Sequence, residues 1–349
     1  MGTNLLKFAV LLLCFSSVAQ TGKDYPKHAL KIFSENDFWM FGNSTDIYYT
    51  QGLRIQYLEE LDTNCKFTNY WPFLFKNADV QNLVGYSIGQ NIYTSTDITI
   101  SELMPDDRPY AAWLYFAFTS TSNSLAKKHR LTTDVHLGVI GPLAQGKFVQ
   151  SNFHKLIGSP DPKGWPHQVA NDIGFNLNVK YEPWGFSPIS NDSIIGFDFV
   201  PNAEVMAGSV FNVLGAGATV KVNILNAGPY FGNAFNAVGG IPKKKGKSAA
   251  AGKPKFFESF RDAGISLFGR PSGKAVLYNA LLQGGIFNDN SPYTIRNSDV
   301  ERFYFDMDYG ITVSSPYIDI SYSRAYRTRE FKQQEHNHQW GQIYLTVKF

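Results

Sequence analysis

Gly341-Gln-Ile-Tyr-Leu-Thr-Val-Lys-Phe349 puts Ile343, Leu345, Val347 and Phe349 on one face of an extended strand and Tyr344, Thr346 and Lys348 on the other. Apolar and polar residues alternating with period two, with the apolar set turned outward, is what a strand needs when lipid lies on one side and a wet lumen on the other. The pattern recurs in Phe303-Tyr-Phe-Asp-Met-Asp-Tyr309 and Tyr317-Ile-Asp-Ile-Ser-Tyr322. Aspartates interleaved with aromatics would make a poor soluble core, but in a barrel they can point into the lumen.

Composition agrees. The 349 residues are 15% aromatic, with 28 Phe and 19 Tyr, and only 17% charged, against about 25% in an ordinary soluble domain. No later stretch is long and apolar enough for a membrane helix; the most apolar, Tyr110 to Phe118, is strand-sized. Strands are expected near 28–36, 46–59, 83–94, 110–121, 129–140, 173–182, 194–207, 215–226, 261–269, 274–286, 300–313, 316–326 and 339–349. The fold expected is all-β: a transmembrane antiparallel β-barrel of about 12 strands, in one domain over 20–349, with a short helical segment near 146–156. A Phe ending the last strand resembles the signal by which outer-membrane barrels are recognised for insertion.

The N-terminus reads as an export signal over 1–19. Lys7 precedes an apolar core, Phe8 to Phe15, and Ser17-Val18-Ala19 supplies small residues before Gln20. The apolar run is too short for a membrane anchor, and Leu13 is not the small residue that lipidation at Cys14 would need. Cleavage would leave Cys65 alone, which excludes a disulfide framework and a cysteine zinc site. A net charge of +3 makes no case for nucleic acid. Gly239 to Lys255 is low-complexity and lysine-rich, and reads as a loop. A barrel that closes on itself is expected to be a monomer.

Four patches put polar residues into otherwise apolar barrel sequence. They are Glu35-Asn36-Asp37-Phe38; Thr45-Asp46-Ile-Tyr48-Tyr49-Thr50-Gln51-Gly52; Gly89-Gln90-Asn91-Ile-Tyr93-Thr94 followed by Pro105-Asp106-Asp107-Arg108-Pro109; and Gly138 to Pro142, continuing through Val149-Gln150, His154-Lys-Leu-Ile-Gly158, Gly164-Trp165 and Gln168-Val-Ala-Asn171. Read for chemistry alone, His154 is one of seven histidines and stands in an irregular segment, where a base near neutral pH or a structural role would both fit. Asn36 and Asp37 could offer hard oxygens to Ca²⁺ or simply make a turn. Arg108 could clamp a phosphate or pair with an internal carboxylate.

In their order and spacing these patches resemble the lipid A 3′-O-deacylase family, calcium-dependent esterases of the outer membrane. The resemblance runs from about Phe33 to the C-terminus, is densest over 33–172, and is weaker through Leu214-Gly-Ala-Gly-Ala-Thr-Val220 and Arg327-Thr-Arg-Glu-Phe331. It implies that His154 is the general base, that Asn36, Asp37 and Thr50 belong to the active site, that Asn36, Asp37 and Asp161 bear on a Ca²⁺ ion, and that the substrate is lipid A or lipopolysaccharide. Two departures stand out. Family enzymes are expected to carry a Lys shortly after the Gln90-Asn91-Ile-Tyr93 motif, but Ser95 to Glu102 holds none. Pro160 occupies the position of an expected carboxylate, so Asp161 could serve only through a one-residue shift. Two other readings fit the scaffold: a phospholipase with a Ser nucleophile such as Ser151, and a non-catalytic barrel or pore.

Overall fold

A computed structural model describes residues 26–40, 47–62, 71–76, 80–124, 126–184, 186–189, 196–225, 264–315 and 317–349. The expected export signal and the Gly239–Lys255 loop lie outside them. The strands are β1 (His28–Asn36), β2 (Tyr48–Glu60), β3 (Val80–Thr94), β4 (Ala111–Ser124), β5 (His129–Ile140), β6 (Asp172–Pro183), β7 (Phe186–Ile189), β8 (Gly196–Gly208), β9 (Phe211–Leu225), β10 (Gly264–Asn279), β11 (Phe303–Ser314), β12 (Ile318–Arg327) and β13 (His338–Lys348). Two helices interrupt them, α1 (Gly146–Ile157) and α2 (Ala280–Gln283).

Every strand pairs antiparallel with its neighbours in the order β6-β5-β4-β3-β2-β1-β13-β12-β11-β10-β9-β8, and β8 pairs back onto β6 through Asn176↔Gly208 to Tyr181↔Ala203. The result is a closed 12-stranded barrel; β7 is a short thirteenth strand paired with the first half of β8. The first and last strands complete the ring. The β1–β13 ladder runs from Asn36↔Gly341 to Ala29↔Lys348, and beyond it the backbones of His28 and Phe349 exchange hydrogen bonds of 3.0 and 2.9 Å.

The alternation expected from sequence is the alternation observed. Lumen-facing Tyr344 donates to Glu35 at 2.9 Å, and Lys348 lies 2.7 Å from Asp319. Asp306 is held by Arg327, and Asp308 faces Arg270. On the outside stand Leu53, Ile55, Tyr86, Ile88, Phe116, Leu137, Ile173, Phe303 and Ile311, all exposed and apolar.

One expectation is corrected. The two strands read at 261–269 and 274–286 are the single β10. Pro271-Ser-Gly273 reads as a turn, yet Pro271 sits in the ladder opposite Met307, and pairing with β9 is interrupted beside it, between Gly269↔Val220 and Ser272↔Gly217. A proline lacks only the N–H, so a long strand carries it where one ladder bond is already missing. Beyond Asn279 the chain turns into α2 rather than continuing as strand to 286.

His28 and Phe349 lie together at one rim. At the other rim lie the 3-10 turn Asp37–Trp39, α1, α2 and the connection between β10 and β11. There the lumen is filled by Tyr49, Tyr93, Trp113, Tyr115 and Trp340, packed with Ala280 and Leu281 of α2.

Candidate active site on the outer wall of the barrel

The polar patches converge at that rim, on the outside of the wall. Strand parity shows it. In β3, Gln90, Ile92 and Thr94 share a face with exposed Tyr86 and Ile88; in β4, Ala112 shares one with exposed Phe116. All four rim residues are nevertheless buried. Gln90, Ile92 and Ala112 are covered by the segment from Gly141 to Trp165, laid against the barrel from outside.

That segment has identifiable anchors. Gly141, at φ +81°, donates to the Ala112 carbonyl at 2.9 Å, and a Cβ there would come within 2.6 Å of the Ala170 backbone. Only glycine tolerates both demands. The Gln90 side chain donates to the Ala144 carbonyl at 2.6 Å. Helix α1 then turns Gly146, Gln150 and His154, spaced by four, toward the wall, and all three are buried. Gly146 packs so closely that a Cβ would meet the Trp165 ring at 2.4 Å and the Ala112 methyl at 2.6 Å. Gln150 accepts from the Trp165 indole N–H at 3.0 Å. The helix ends on Gly158 at φ +76°, whose N–H donates to the His154 carbonyl, and the chain folds back so that His154 Nδ1 meets the Pro160 carbonyl at 2.5 Å. A carbonyl oxygen only accepts, so Nδ1 carries a proton and donates here.

Asn36 and Asp37 occupy a turn, with Asn36 the last residue of β1 and Asp37 the first of the 3-10 turn. Asn36 Oδ1 accepts from the Phe38 N–H at 2.7 Å, a local cap. The turn lies flat on β13: the Trp39 indole donates to Ser34 at 3.0 Å, Tyr322 donates to the Trp39 carbonyl at 3.0 Å, and a Cβ on Gly341 would come within 2.6 Å of Trp39. Both Asn36 and Asp37 are buried. The turn meets α1 through Phe38 and Phe153, edge to face with centroids 6.0 Å apart. Those rings belong to the neighbours of Asp37 and His154.

Thr50 sits beside this group through a bulge. The β2–β3 register jumps between Tyr49↔Tyr93 and Gln51↔Ile92, leaving Thr50 outside the ladder. Its hydroxyl is 2.8 Å from that of Thr94, and β1 places Asn36 opposite Gln51. Tyr48, just before, has φ +60°, a conformation a bulky residue adopts only when its surroundings hold it.

The other sequence candidates lie elsewhere. Arg108 is fully buried, 2.5 Å from Glu330 and stacked 4.2 Å over Tyr93, a lumen-facing ring. It is therefore an internal brace rather than a cation offered to a ligand at the outer wall. Burial alone would raise the Glu330 carboxyl's pKa, but the Arg108 and Arg327 guanidiniums outweigh it and hold it below its ordinary value. Asp161 is exposed and borders a groove beside Lys155. Among the described residues no three His, Cys, Asp or Glu groups stand close enough to hold a metal, so Asp161 does not join Asp37 and His154 in such a set. The Asn36 amide and the Asp37 carboxylate are hard oxygen donors of the kind Ca²⁺ takes. The lysine-free loop after Tyr93 is held by Thr96 to Asp107 at 2.8 Å and by Lys163 N–H to the Ile98 carbonyl at 2.8 Å.

Gln150, Trp165, Thr94 and Glu330 had no role assigned from sequence. Gln150 carried a usable signal, its spacing of four from both Gly146 and His154. Glu330 carried none, lying 222 positions from Arg108.

The family model for outer membrane protein LpxR matches residues 6–349. This chain belongs to the LpxR family. It is accordingly an integral β-barrel of the outer membrane. LpxR from Salmonella typhimurium superposes with a TM-score of 0.66 at 21% identity, covering 92% of this chain and all of the other, a likeness of fold. The beta domain of the Bordetella autotransporter BrkA gives a TM-score of 0.45 at 10% identity, over 93% of this chain and all of that one. Comparison with curated proteins gives no match.

Proposed function

We propose that this LpxR-family barrel is a lipid A deacylase that hydrolyses the 3′-linked acyloxyacyl ester of lipid A. The observation that carries the reading is the His154–Pro160 hydrogen bond, 2.5 Å long, on an imidazole buried against the outer wall beside the Asn36–Asp37 turn. A histidine fixed in this tautomer is a general base aimed by its backbone partner. Its placement outside the barrel suits a substrate that reaches it through the lipid.

His154 Nε2 takes a proton from a water molecule as the water oxygen attacks the acyl carbonyl. The C–O bond to the sugar then breaks, and the imidazolium returns the proton to the departing alkoxide. Thr50, held by Thr94, positions water or substrate. Asn36 and Asp37 would hold Ca²⁺, which when bound supplies positive charge to the developing oxyanion. Covering by α1 keeps bulk water from the wall and strengthens these interactions.

The filled rim of the lumen argues against a pore. Against the phospholipase reading, Ser151 lines the groove with Lys147 and Lys155, whereas His154 faces the wall. Acyl release from lipid A should require Ca²⁺, stop with a chelator and resume when Ca²⁺ is restored. A fluorophosphonate probe should leave the active protein unlabelled. Chelator-resistant release, or labelling of Ser151 that abolishes activity, would refute the reading.

A further inference from the structure

Helix α1 has a face that the proposed chemistry does not use. Gly146, Gln150 and His154 meet the wall, and Phe153 leans on Phe38. On the other flank Lys147, Ser151 and Lys155, again spaced by four, line an open groove of about 500 Å³ with Gln145, Asn152 and Asp161. A second groove of about 500 Å³ continues from Lys147 and Gln168 to Asn171 and Asn288. Lys147 borders both.

We infer that the Lys147–Ser151–Lys155 flank is a subsite for the phosphate of a membrane glycolipid headgroup. Two ammonium groups face a single carboxylate, Asp161, so the groove is cationic, and the Ser151 hydroxyl adds a neutral donor. The lysine Cα atoms stand roughly 12 Å apart along the helix at about 1.5 Å per residue, a span their flexible stems close over Ser151. Leu143, Phe148 and Leu156 are 58%, 66% and 70% exposed on the same segment. Apolar side chains left open beside lysines mark the level where acyl chains give way to headgroups. A headgroup phosphate seated there would set the register of the glycolipid along α1, one flank away from His154. The inference rests on the deacylase reading for which glycolipid binds, but not for the phosphate itself.

The test is equilibrium binding of radiolabelled diphosphoryl lipid A, and of its dephosphorylated form, to the purified full-length protein in detergent micelles. Wild type should prefer the phosphorylated form by about tenfold, the size of one charge-assisted contact. Lys147→Gln with Lys155→Gln should abolish the preference. Lys127→Gln, in the exposed turn at the opposite rim, should retain it. Millimolar inorganic phosphate should not compete. A preference undiminished in the double variant, or displacement by inorganic phosphate alone, would overturn the inference. Binding is read without turnover: a lysine-dependent preference with no acyl release would sustain the subsite and refute the deacylase reading, and acyl release without such a preference would do the reverse.

Discussion

His154 Nδ1 lies 2.5 Å from the carbonyl oxygen of Pro160, six residues further along the chain. The imidazole is thus oriented by the turn that ends its own helix, and the base depends on that turn as much as on the histidine.

Replacing the base is the plainest consequence. His154→Ala should lower the turnover of lipid A by about 10²- to 10⁴-fold, the usual contribution of a general base. The barrel should persist, because the wall contacts of Gly146 and the Gln150–Trp165 bond do not pass through His154. Steady-state kinetics with far-UV circular dichroism as the folding check would decide it.

The turn itself can be perturbed from outside. Gly158 has φ +76°, and nothing lies within 4 Å of a Cβ placed there. Gly158→Ala therefore adds left-handed strain of about 1–2 kcal/mol without a clash. If the turn relaxes to relieve it, the Pro160 carbonyl moves off Nδ1, and kcat should fall several-fold with little change in KM. An unchanged kcat would show that the turn does not aim the base.

Thr50 can be tested by paired substitutions. Thr50→Val removes the hydroxyl bonded to Thr94, a buried hydrogen bond of 2.8 Å worth about 0.5–1.5 kcal/mol. Thr50→Ser keeps the bond. Acyl release should drop in the valine variant and remain near wild type in the serine variant.

Arg108 and Glu330 form a buried ion pair whose removal should register in stability. Arg108→Ala leaves Glu330 to Arg327 alone, 3.4 Å away, and should destabilise the barrel by up to roughly 3–5 kcal/mol, while adding Glu330→Gln should recover part of that loss. The pH dependence has a definite sign. The folded Glu330 carboxyl is held below its ordinary value, so the stability it contributes is fully present above about pH 4.3 and is lost as pH falls through the lower folded value. Urea unfolding of wild type against Glu330→Gln between pH 3 and 7 should show the difference shrinking toward acid.

The barrel was largely legible in sequence because period-two alternation is a local signal: Ile343 to Phe349 and Phe303 to Tyr309 already declare which face meets lipid. Where a local signal misled, at Pro271-Ser-Gly273, turn-forming residues sat inside a strand whose ladder could spare one donor. The helix near 146–156 was also legible, but its seat on the outer wall was not. That placement depends on the close approach of Gly146 to Ala112 and Trp165, which no spacing encodes. Likewise Asn36 and Asp37 looked like either a turn or a donor pair, and they make a turn that brings both oxygens to the rim. The bulge at Thr50 and the partnership of Arg108 with Glu330 are long-range facts that only the closed register reveals.

The most direct test of an esterase site on the outer wall is mass spectrometry of lipid A incubated with the purified protein and Ca²⁺. Wild type should remove the 3′-linked acyloxyacyl group, and His154→Ala should leave lipid A intact. Intact lipid A with folded wild-type protein, or equal deacylation by both proteins, would contradict it.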